Sequence, residues 1–349
     1  MTTLNSLAGP GSLRQARLPR WAWPLTVAAS AGLMLVLFAV TPLQGVADYI
    51  VAASVLAVAA ITAVSWSVEG RRRAKDRLAT NAALLALILT LLPLCFVIGY
   101  TIKRGAHRFS LNFLNHSMAG VGPLSPGGGV YHAIIGTVEQ VALASLISVP
   151  LGLLVAIYVT EYGGNALATG IRFLIDVMTG IPSIVAGLFV LAFWIIALNQ
   201  PFTGFAGALA LAILELPIIV RASEEMILLV PRALREASYA LGVAKWRTIL
   251  RVVLPTAASG ITTGVMLAIA RVTGETAPVL LVAGNNNFIN NNPFSGGQSD
   301  LPLFIFGGAR SSSDFNVDRA WAAALTLIAI VVLLYVGARL ITRRSAFRR

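Results

Sequence analysis

The sequence predicts an all-α, polytopic integral membrane protein with about eight transmembrane helices. Of the 349 residues, 57% are hydrophobic and 11% are charged, and the mean hydropathy is +0.81. Soluble domains carry about 25% charged residues, so this composition disfavours both a soluble globule and a disordered chain. A disulfide-stabilised scaffold is disfavoured as well, because Cys95 is the single cysteine and cannot form an internal disulfide.

Eight apolar segments, most of them close to the ~20 residues that a helix needs to cross a bilayer, support this fold class. In chain order they are 21–41, 46–66, 80–102, 132–159, 171–198, 205–221, 256–283 and 319–341. No A-x-A cleavage motif follows the first segment, so we expect it to be a retained membrane anchor.

The basic residues predict how the chain crosses the membrane. The formal net charge is +12, with 26 Lys and Arg against 14 Asp and Glu. If the N-terminus is cytoplasmic, twenty of the basic residues fall in inner segments, five fall in outer segments, and Arg271 lies inside a span. Positive charge gathers on the cytoplasmic side of membrane proteins, so we expect both termini in the cytoplasm. The same distribution removes the main support for nucleic-acid binding.

The sequence carries no motif for a resident metal or for ATP hydrolysis. The three histidines lack a metal-ligand spacing, and none of the three lysines lies in the Gly-Lys-Ser/Thr of a Walker A motif. We therefore expect that this chain does not hydrolyse ATP itself and holds no cofactor.

Two outer connections are longer than the others. The segment 103–131 contains Gly-Pro, Ser-Pro and Gly-Gly-Gly, and the segment 285–318 begins with an Asn-rich run. Both compositions predict irregular loops, which either contact an external partner or act as spacers.

The longest inner connection, 231–255, is basic and amphipathic. Leu234, Ala237 and Leu241 recur at helical spacing, and the pattern resumes after Gly242. This predicts two short helices hinged at Gly242 and lying at the membrane surface. On periodicity alone, the loop either touches anionic headgroups or docks onto a partner.

Fixed positions in this loop resemble the EAA loop of ABC-type importer permeases, which combines Glu-Ala-Ala, a Gly and a closing Ile-x-Leu-Pro. The matching residues are Glu236, Ala237, Ser238, Gly242, Val252, Leu254 and Pro255, of which Ser238 and Val252 depart from the pattern. In that family the loop forms coupling helices that dock into a groove of the ATPase subunit. The resemblance therefore implies a role in ATPase coupling for five positions, namely Glu236, Ala237, Gly242, Leu254 and Pro255.

Charged side chains inside predicted spans are costly and usually functional. Arg271 and Glu275 lie four residues apart in the seventh span and would share one helix face. Arg221 lies at the inner end of the sixth span, just before Glu224 and Glu225. Arg271 and Glu275 form either a buried ion pair that sets helix register or part of a polar pathway for an anion, since arginine binds phosphate-type oxyanions bidentately.

Three further sequence words resemble the PstA family of phosphate-importer permeases, and the resemblance covers about residues 80–345. They are GIPSIVAG at 180–187, LPIIVRASEE at 216–225 and ARVTGETAP at 270–278. The resemblance implies a six-helix type I ABC importer permease core. It assigns the phosphate pathway to Arg221, Arg271 and Glu275.

The domain prediction follows from the same resemblance. The basic N-terminus and two extra transmembrane helices occupy 1–78, since the common pattern has six spans. The permease domain occupies 79–342 and contains the coupling loop at 231–255, and a basic tail occupies 343–349.

The resemblance implies the permease subunit of an ATP-driven inorganic phosphate importer in a bacterial plasma membrane, working by alternating access. The implied partners are the lipid bilayer, a second permease subunit (PstC-like), an ATPase dimer (PstB-like) that binds ATP and Mg, and an extracytoplasmic phosphate-binding protein (PstS-like). Two alternatives stay open: a permease for another oxyanion such as sulfate or molybdate, and a membrane signalling protein that senses phosphate.

Overall fold

The computed structural model describes residues 18–19, 21–40 and 45–346, and within these ranges every regular element is a helix. The helices are α1 (Ala22–Val40), α2 (Val46–Glu69), α3 (Arg71–Ala106), α4 (Leu111–Asn115), α5 (Tyr131–Glu161), α6 (Ala166–Thr179), α7 (Ser183–Val190), α8 (Gly204–Leu228), α9 (Arg232–Ala240), α10 (Lys245–Thr248), α11 (Leu254–Val272), α12 (Ala277–Leu280), α13 (Leu301–Ala309) and α14 (Asp314–Ala346). Two π-helical segments, Leu191–Ala197 and Ile249–Val253, extend α7 and join α10 to α11. The predicted basic N-terminus and basic tail lie mostly outside the described residues.

The predicted number of spans agrees with the helices of the described ranges. Seven helices there are long and apolar enough to cross a membrane, and the bent pair α6–α7 raises the number to as many as eight. The prediction of an all-α polytopic membrane protein is therefore confirmed.

The predicted fifth span, 171–198, is broken and not straight. α6 ends at Thr179, α7 begins at Ser183, and the two helices are bent by 106°. Pro182 has no N–H to continue a helix, and it disfavours helical geometry at the residue before it, Ile181. Hydropathy does not detect the break because the residues around it are small or apolar.

The predicted seventh span, 256–283, begins and ends about 11 residues after the helix that the structure has there. One continuous helix runs from Lys245 to Val272, and the chain leaves it at Thr273. The sequence assigned the basic residues after Lys245 to a surface loop, whereas the helix places their long side chains on an exposed face. Residues 273–283 form a turn and the short α12 instead of the last turns of a span.

The chain divides into two compact units, residues 1–100 and 101–349. In the first unit α1 packs on α2, and the Tyr49 hydroxyl donates to the Ala31 carbonyl at 2.7 Å. Gly70 alone separates α2 from α3, so the basic run 71–77, predicted as part of a connection, lies in the first turns of α3.

Glu69 closes the corner between α2 and α3. Its carboxylate accepts from Arg77 Nε at 2.6 Å, from Ser65 Oγ at 2.8 Å and from the backbone N–H of Leu18 at 2.7 Å. Its side chain is only 2% exposed, so the pair with Arg77 compensates a charge that has little access to water. The contact with Leu18 ties the chain before α1 to this corner.

The second unit is built on α5 and α8, which pack together along most of their lengths. Ala144 and Ala208 are fully buried at this contact, and small side chains let membrane helices approach closely. Glu215 of α8 is also buried, and it accepts from Ser145 at 2.9 Å and from Ser148 at 3.3 Å, both on α5. The α5–α8 pair is therefore joined by polar bonds as well as by apolar packing.

Candidate transport and coupling sites

The amphipathic loop forms two helices, as its periodicity predicts, and Gly242 ends the first of them. Gly242 has φ +72°, and its N–H donates to the Tyr239 carbonyl at 2.9 Å, while the Val243 N–H donates to the Ser238 carbonyl at 3.2 Å. These two bonds form a Schellman motif, whose left-handed position glycine adopts without a Cβ penalty. The second helix, α10, continues into α11, so Leu254 and Pro255 lie in a long helix rather than at a loop end.

This loop presents an exposed face of mixed character. Glu236 and Ala237 are both exposed on α9. Near them the large apolar side chains of Leu234, Leu241 and Trp246 are 42%, 83% and 54% exposed. Exposed apolar side chains clustered on a polar segment are typical of a contact surface.

Ser238 explains one departure from the EAA pattern. Its hydroxyl is buried and lies 2.8 Å from Thr248 Oγ1, which joins α9 to α10 across the Gly242 turn. A buried hydroxyl needs a hydrogen-bonding partner, so the serine at 238 and the threonine at 248 satisfy each other. The pattern's alanine could not supply this bond.

Arg221 lies in a chain of four charged side chains that links α6, α8 and the end of α5. It donates to Glu224 at 3.0 Å and also to Asp176, and Glu224 accepts in turn from Arg172 at 3.1 Å. Arg172 donates further to the Val159 carbonyl at 2.8 Å. The two guanidinium groups and the two carboxylates together carry no net charge. The positive charge of Arg221 is therefore neutralised by the neighbouring carboxylates.

Arg271 differs from Arg221, because within the described part of the chain its side chain has no hydrogen bond or ion pair. It is exposed in the last turn of α11. Glu275 is half-buried and likewise forms no ion pair with any described residue. α11 ends at Val272, so the prediction that these two residues share a helix face is wrong, and no ion pair between them sets the register.

A buried polar cluster that the sequence analysis missed lies at the other end of α5. Gln298 Nε2 donates to Glu139 Oε2 at 2.6 Å and to the Asn290 carbonyl at 2.9 Å, and Gln140 Nε2 donates to Gln298 Oε1 at 3.3 Å. The cluster fastens the Asn-rich loop to α5. The adjacent Glu139 and Gln140 in an otherwise apolar span were the signal that could have revealed it.

Glycines let the same loop come close to the helices. A Cβ on Gly136 of α5 would lie 1.9 Å from the Ser299 carbonyl oxygen. Within the loop itself, a Cβ on Gly297 would lie equally close to the backbone of Gly284. The Leu301 N–H also donates to Thr137 Oγ1 of α5 at 2.8 Å. The loop is therefore packed against α5 by backbone contact, and it is more than a spacer.

Asp300 ends this loop and caps α13. Its Oδ1 accepts from the Leu303 N–H at 2.8 Å, and the residue is 3% exposed. Burial raises the pKa of the Asp300 carboxyl to about 7 because the charged form is desolvated, and the hydrogen bond from Leu303 offsets this only in part.

The first turn-rich loop is also held in place. Arg319, at 0% exposure, donates to the Gly127 carbonyl at 2.7 Å, to the Ser125 carbonyl and to Asn316 Oδ1 at 2.6 Å. Arg108 donates to the Gly127 carbonyl as well, at 3.1 Å. Arginine, with five donors, can satisfy several loop carbonyls at once.

Residues 148–347 match the family model for the binding-protein-dependent transport system inner membrane component. The chain belongs to this family. Among its relatives, the phosphate transport system permease protein PstA 1 of Mycobacterium tuberculosis is 45% identical over 80% of this chain and 91% of its own. PstA of Mycobacterium leprae is 43% identical, over 75% and 86% of the two chains, and PstA of Yersinia pestis is 39% identical, over 77% and 90%.

A solved structure of an ABC transporter contains a chain with the same fold. A chain in the crystal structure of a bacterial alginate ABC transporter, in complex with a periplasmic protein bound to alginate pentasaccharide, matches with a TM-score of 0.55. It covers 78% of this chain and 98% of that chain at 17% identity. The resemblance to the PstA family and the polytopic permease fold are therefore confirmed. This inner membrane component is a multi-pass transporter subunit that works with other ABC transporter components.

Proposed function

We propose that this chain is the transmembrane permease subunit of an ATP-driven inorganic phosphate importer. It forms half of the translocation pathway and works by alternating access. The observation that carries the proposal is the 45% identity with a phosphate transport permease across 91% of that protein's length. An identity of this size over nearly the whole relative supports the same substrate class as well as the same fold.

The coupling loop supports dependence on a separate ATPase. The exposed face of α9, with Glu236 and Ala237, offers a compact helical surface for an ATPase dimer (PstB-like). Gly242 ends α9 in a hydrogen-bonded turn, and Leu254 and Pro255 are the first residues of α11, which continues from the loop. A short rigid helix can pass a rigid-body movement to the spans. ATP and Mg bind to that ATPase, and this chain holds no cofactor.

Arg271 is the main candidate for contact with phosphate. It stays charged at any relevant pH and can donate two parallel hydrogen bonds to an oxyanion. Its exposure, with no bonding partner among the described residues, leaves these donors available. Glu275, four residues on, limits how tightly the anion is held, which favours release. Arg221 belongs to the same pathway, but an anion there competes with Asp176 and Glu224.

The remaining partners and the orientation follow from the same proposal. A second permease subunit (PstC-like) completes the pathway, and an extracytoplasmic phosphate-binding protein (PstS-like) delivers the anion. Both termini lie in the cytoplasm of a bacterium whose plasma membrane contains the complex. The grouping of Arg172, Arg221 and Arg235 near the coupling loop supports this orientation, since positive charge favours the inner side.

Uptake of labelled phosphate by the assembled complex tests the proposal. Arg271→Gln removes the charge, and we expect uptake to fall about 10- to 100-fold, as the loss of one charge-assisted contact implies. Arg271→Lys keeps the charge without the bidentate geometry and should retain more uptake than Arg271→Gln. Arg310→Gln is the matched control, because Arg310 is exposed and, among the described residues, its side chain forms a cation–π contact with the Phe306 ring and neither a hydrogen bond nor an ion pair.

Three outcomes would count against parts of the proposal. Unchanged uptake in Arg271→Gln would remove Arg271 from the pathway. If sulfate or molybdate inhibits uptake and phosphate does not, the substrate is another oxyanion. If cells that lack this chain keep phosphate uptake but lose phosphate-dependent gene regulation, the chain is a sensor.

A further inference from the structure

The side chain of Arg235 on α9 forms hydrogen bonds at the ends of two membrane helices. Its Nε and Nη2 donate to Glu161 Oε1 at 3.0 and 2.9 Å, and Glu161 is the last residue of α5. Its Nη1 donates to the Val230 carbonyl at 2.6 Å, and Nη2 donates to the Ile227 carbonyl at 2.9 Å. Ile227 lies in the last turn of α8 and Val230 follows that helix, so one planar guanidinium joins α9 to both helices.

The Arg235–Glu161 contact is largely removed from water. The two side chains are 16% and 7% exposed. An ion pair in this setting is weakly screened, and it is strongly disrupted when one partner is removed. Arg232, at the start of the same helix, is exposed and has no bonded side-chain partner in the described ranges.

The second helix of the loop, α10, contacts the residue that follows α5. Lys245 Nζ of α10 lies 4.6 Å from the centre of the Tyr162 ring, a cation–π contact, and Tyr162 follows Glu161 directly. Ser238 and Thr248 join α9 to α10. Both coupling helices are thus attached to the same end of α5.

The far end of α5 carries the outer loop. Gln140, 21 residues before Glu161, belongs to the cluster that binds Gln298, and 21 residues of helix span about 32 Å. α5 is continuous between these points and packs on α8 along the way. A displacement of the Glu161 end therefore reaches the loop that holds Gln298.

We propose that Arg235 is the positioning residue that makes α5 and α8 follow the movement of the coupling loop, and so links ATP hydrolysis in the partner to transport. The inference rests on the proposed function and specifies how its coupling loop acts. It predicts that loss of the Arg235–Glu161 contact uncouples hydrolysis from transport while the ATPase stays bound, since Glu236 and Ala237 keep their exposed face.

The experiment uses the whole complex in proteoliposomes, with the phosphate-binding protein and labelled phosphate. The variants are Arg235→Gln, Glu161→Gln and the double variant, with Arg232→Gln as the matched control. Three quantities are measured: ATPase retained per permease on purification, ATP hydrolysed, and phosphate imported per ATP. A structural defect alone would lower the first two and leave the third unchanged.

We expect each single variant to retain its ATPase and to lower phosphate imported per ATP about tenfold, within the usual range of coupling between sites. The double variant should be no worse than either single variant, because one contact is lost in all three. Arg232→Gln should keep the wild-type ratio. If Glu161→Gln imports as much phosphate per ATP as the wild type, the inference is overturned, even if Arg235→Gln fails to assemble. It is also overturned if the loss of phosphate imported per ATP in the double variant is the product of the losses in the two single variants.

The failure of the proposed function gives a different result. A wild-type complex that imports no phosphate refutes the proposed function. A wild-type complex that imports phosphate, with an unchanged ratio in the variants, refutes only the role of Arg235.

Discussion

Gly136→Ala tests whether the outer loop is packed on α5 as closely as the structure indicates. A Cβ at this position would lie 1.9 Å from the Ser299 carbonyl oxygen, whereas Cβ contacts under 3.0 Å essentially do not occur. The obstacle is a backbone atom, so no side-chain rotation can relieve it. Either the loop or α5 must move by more than 1 Å.

Three contributions set the size of the effect. Forcing a methyl group against backbone costs about 3 kcal/mol, at the upper end for overpacked cores. The bond from the Leu301 N–H to Thr137 Oγ1 would be strained as well, which costs about 1 kcal/mol. Alanine regains about 1 kcal/mol of helix propensity over glycine. The expected net loss is about 3 kcal/mol, or a melting temperature roughly 6–12 °C lower for a unit of this size.

The assay is thermal unfolding of the purified complex in detergent, followed by tryptophan fluorescence at one fixed scan rate, because unfolding of large proteins is often irreversible. Gly170→Ala is the control, since Gly170 lies in α6 and no heavy atom of the described residues comes within 4 Å of its added Cβ. That variant should melt at or above the wild-type temperature. Equal or higher melting of Gly136→Ala would refute the close packing of Ser299 on α5.

Two further predictions concern Asp300 and Ser238. Because burial raises the pKa of Asp300 to about 7, the folded state keeps a proton that the unfolded state releases near its ordinary value of 3.8. Stability should therefore fall as pH rises through this interval and level off above pH ~7, at no more than about 1.4 kcal/mol per pH unit. Asp300→Asn keeps the helix cap and should flatten the melting profile between pH 5 and 8.5, and identical profiles for the two proteins would contradict this account. Ser238→Ala restores the alanine of the EAA pattern but leaves the buried Thr248 hydroxyl without its 2.8 Å partner. It should cost about 1 kcal/mol of stability, measured by thermal unfolding. A variant as stable as wild type would mean that this hydroxyl bond contributes nothing.

Local sequence patterns predicted the number of membrane spans and the two helices on either side of Gly242. Apolar runs of span length reflect the solvent that each segment meets, and this requirement acts on neighbouring residues of the chain. The turn at Gly242 could also be predicted from the sequence, since a glycine that interrupts an amphipathic pattern indicates a helix end. Periodicity did not separate α6 from α7, because Pro182 breaks the helix without changing the hydropathy.

The candidate site was predicted less completely. Arg271 and Arg221 were both selected as costly charges in apolar surroundings, and the sequence treated them alike. The structure separates them, since Asp176 and Glu224 compensate Arg221, whereas Arg271 has no such partner among the described residues. The packing of the helices determines which carboxylate lies beside a given arginine. Neighbouring residues in the sequence do not predict this packing.

By itself, the sequence determined that this protein is a helical membrane protein, which segments enter the membrane and which loop resembles a coupling loop. These properties follow from composition and short-range spacing. Only the tertiary structure decided that Arg235 bonds to Glu161, 74 residues away, and that Gln298 bonds to Glu139, 159 residues away. In an apolar environment such polar groups must find partners wherever packing brings them, so the contacts that join the two ends of α5 emerge only when the helices assemble.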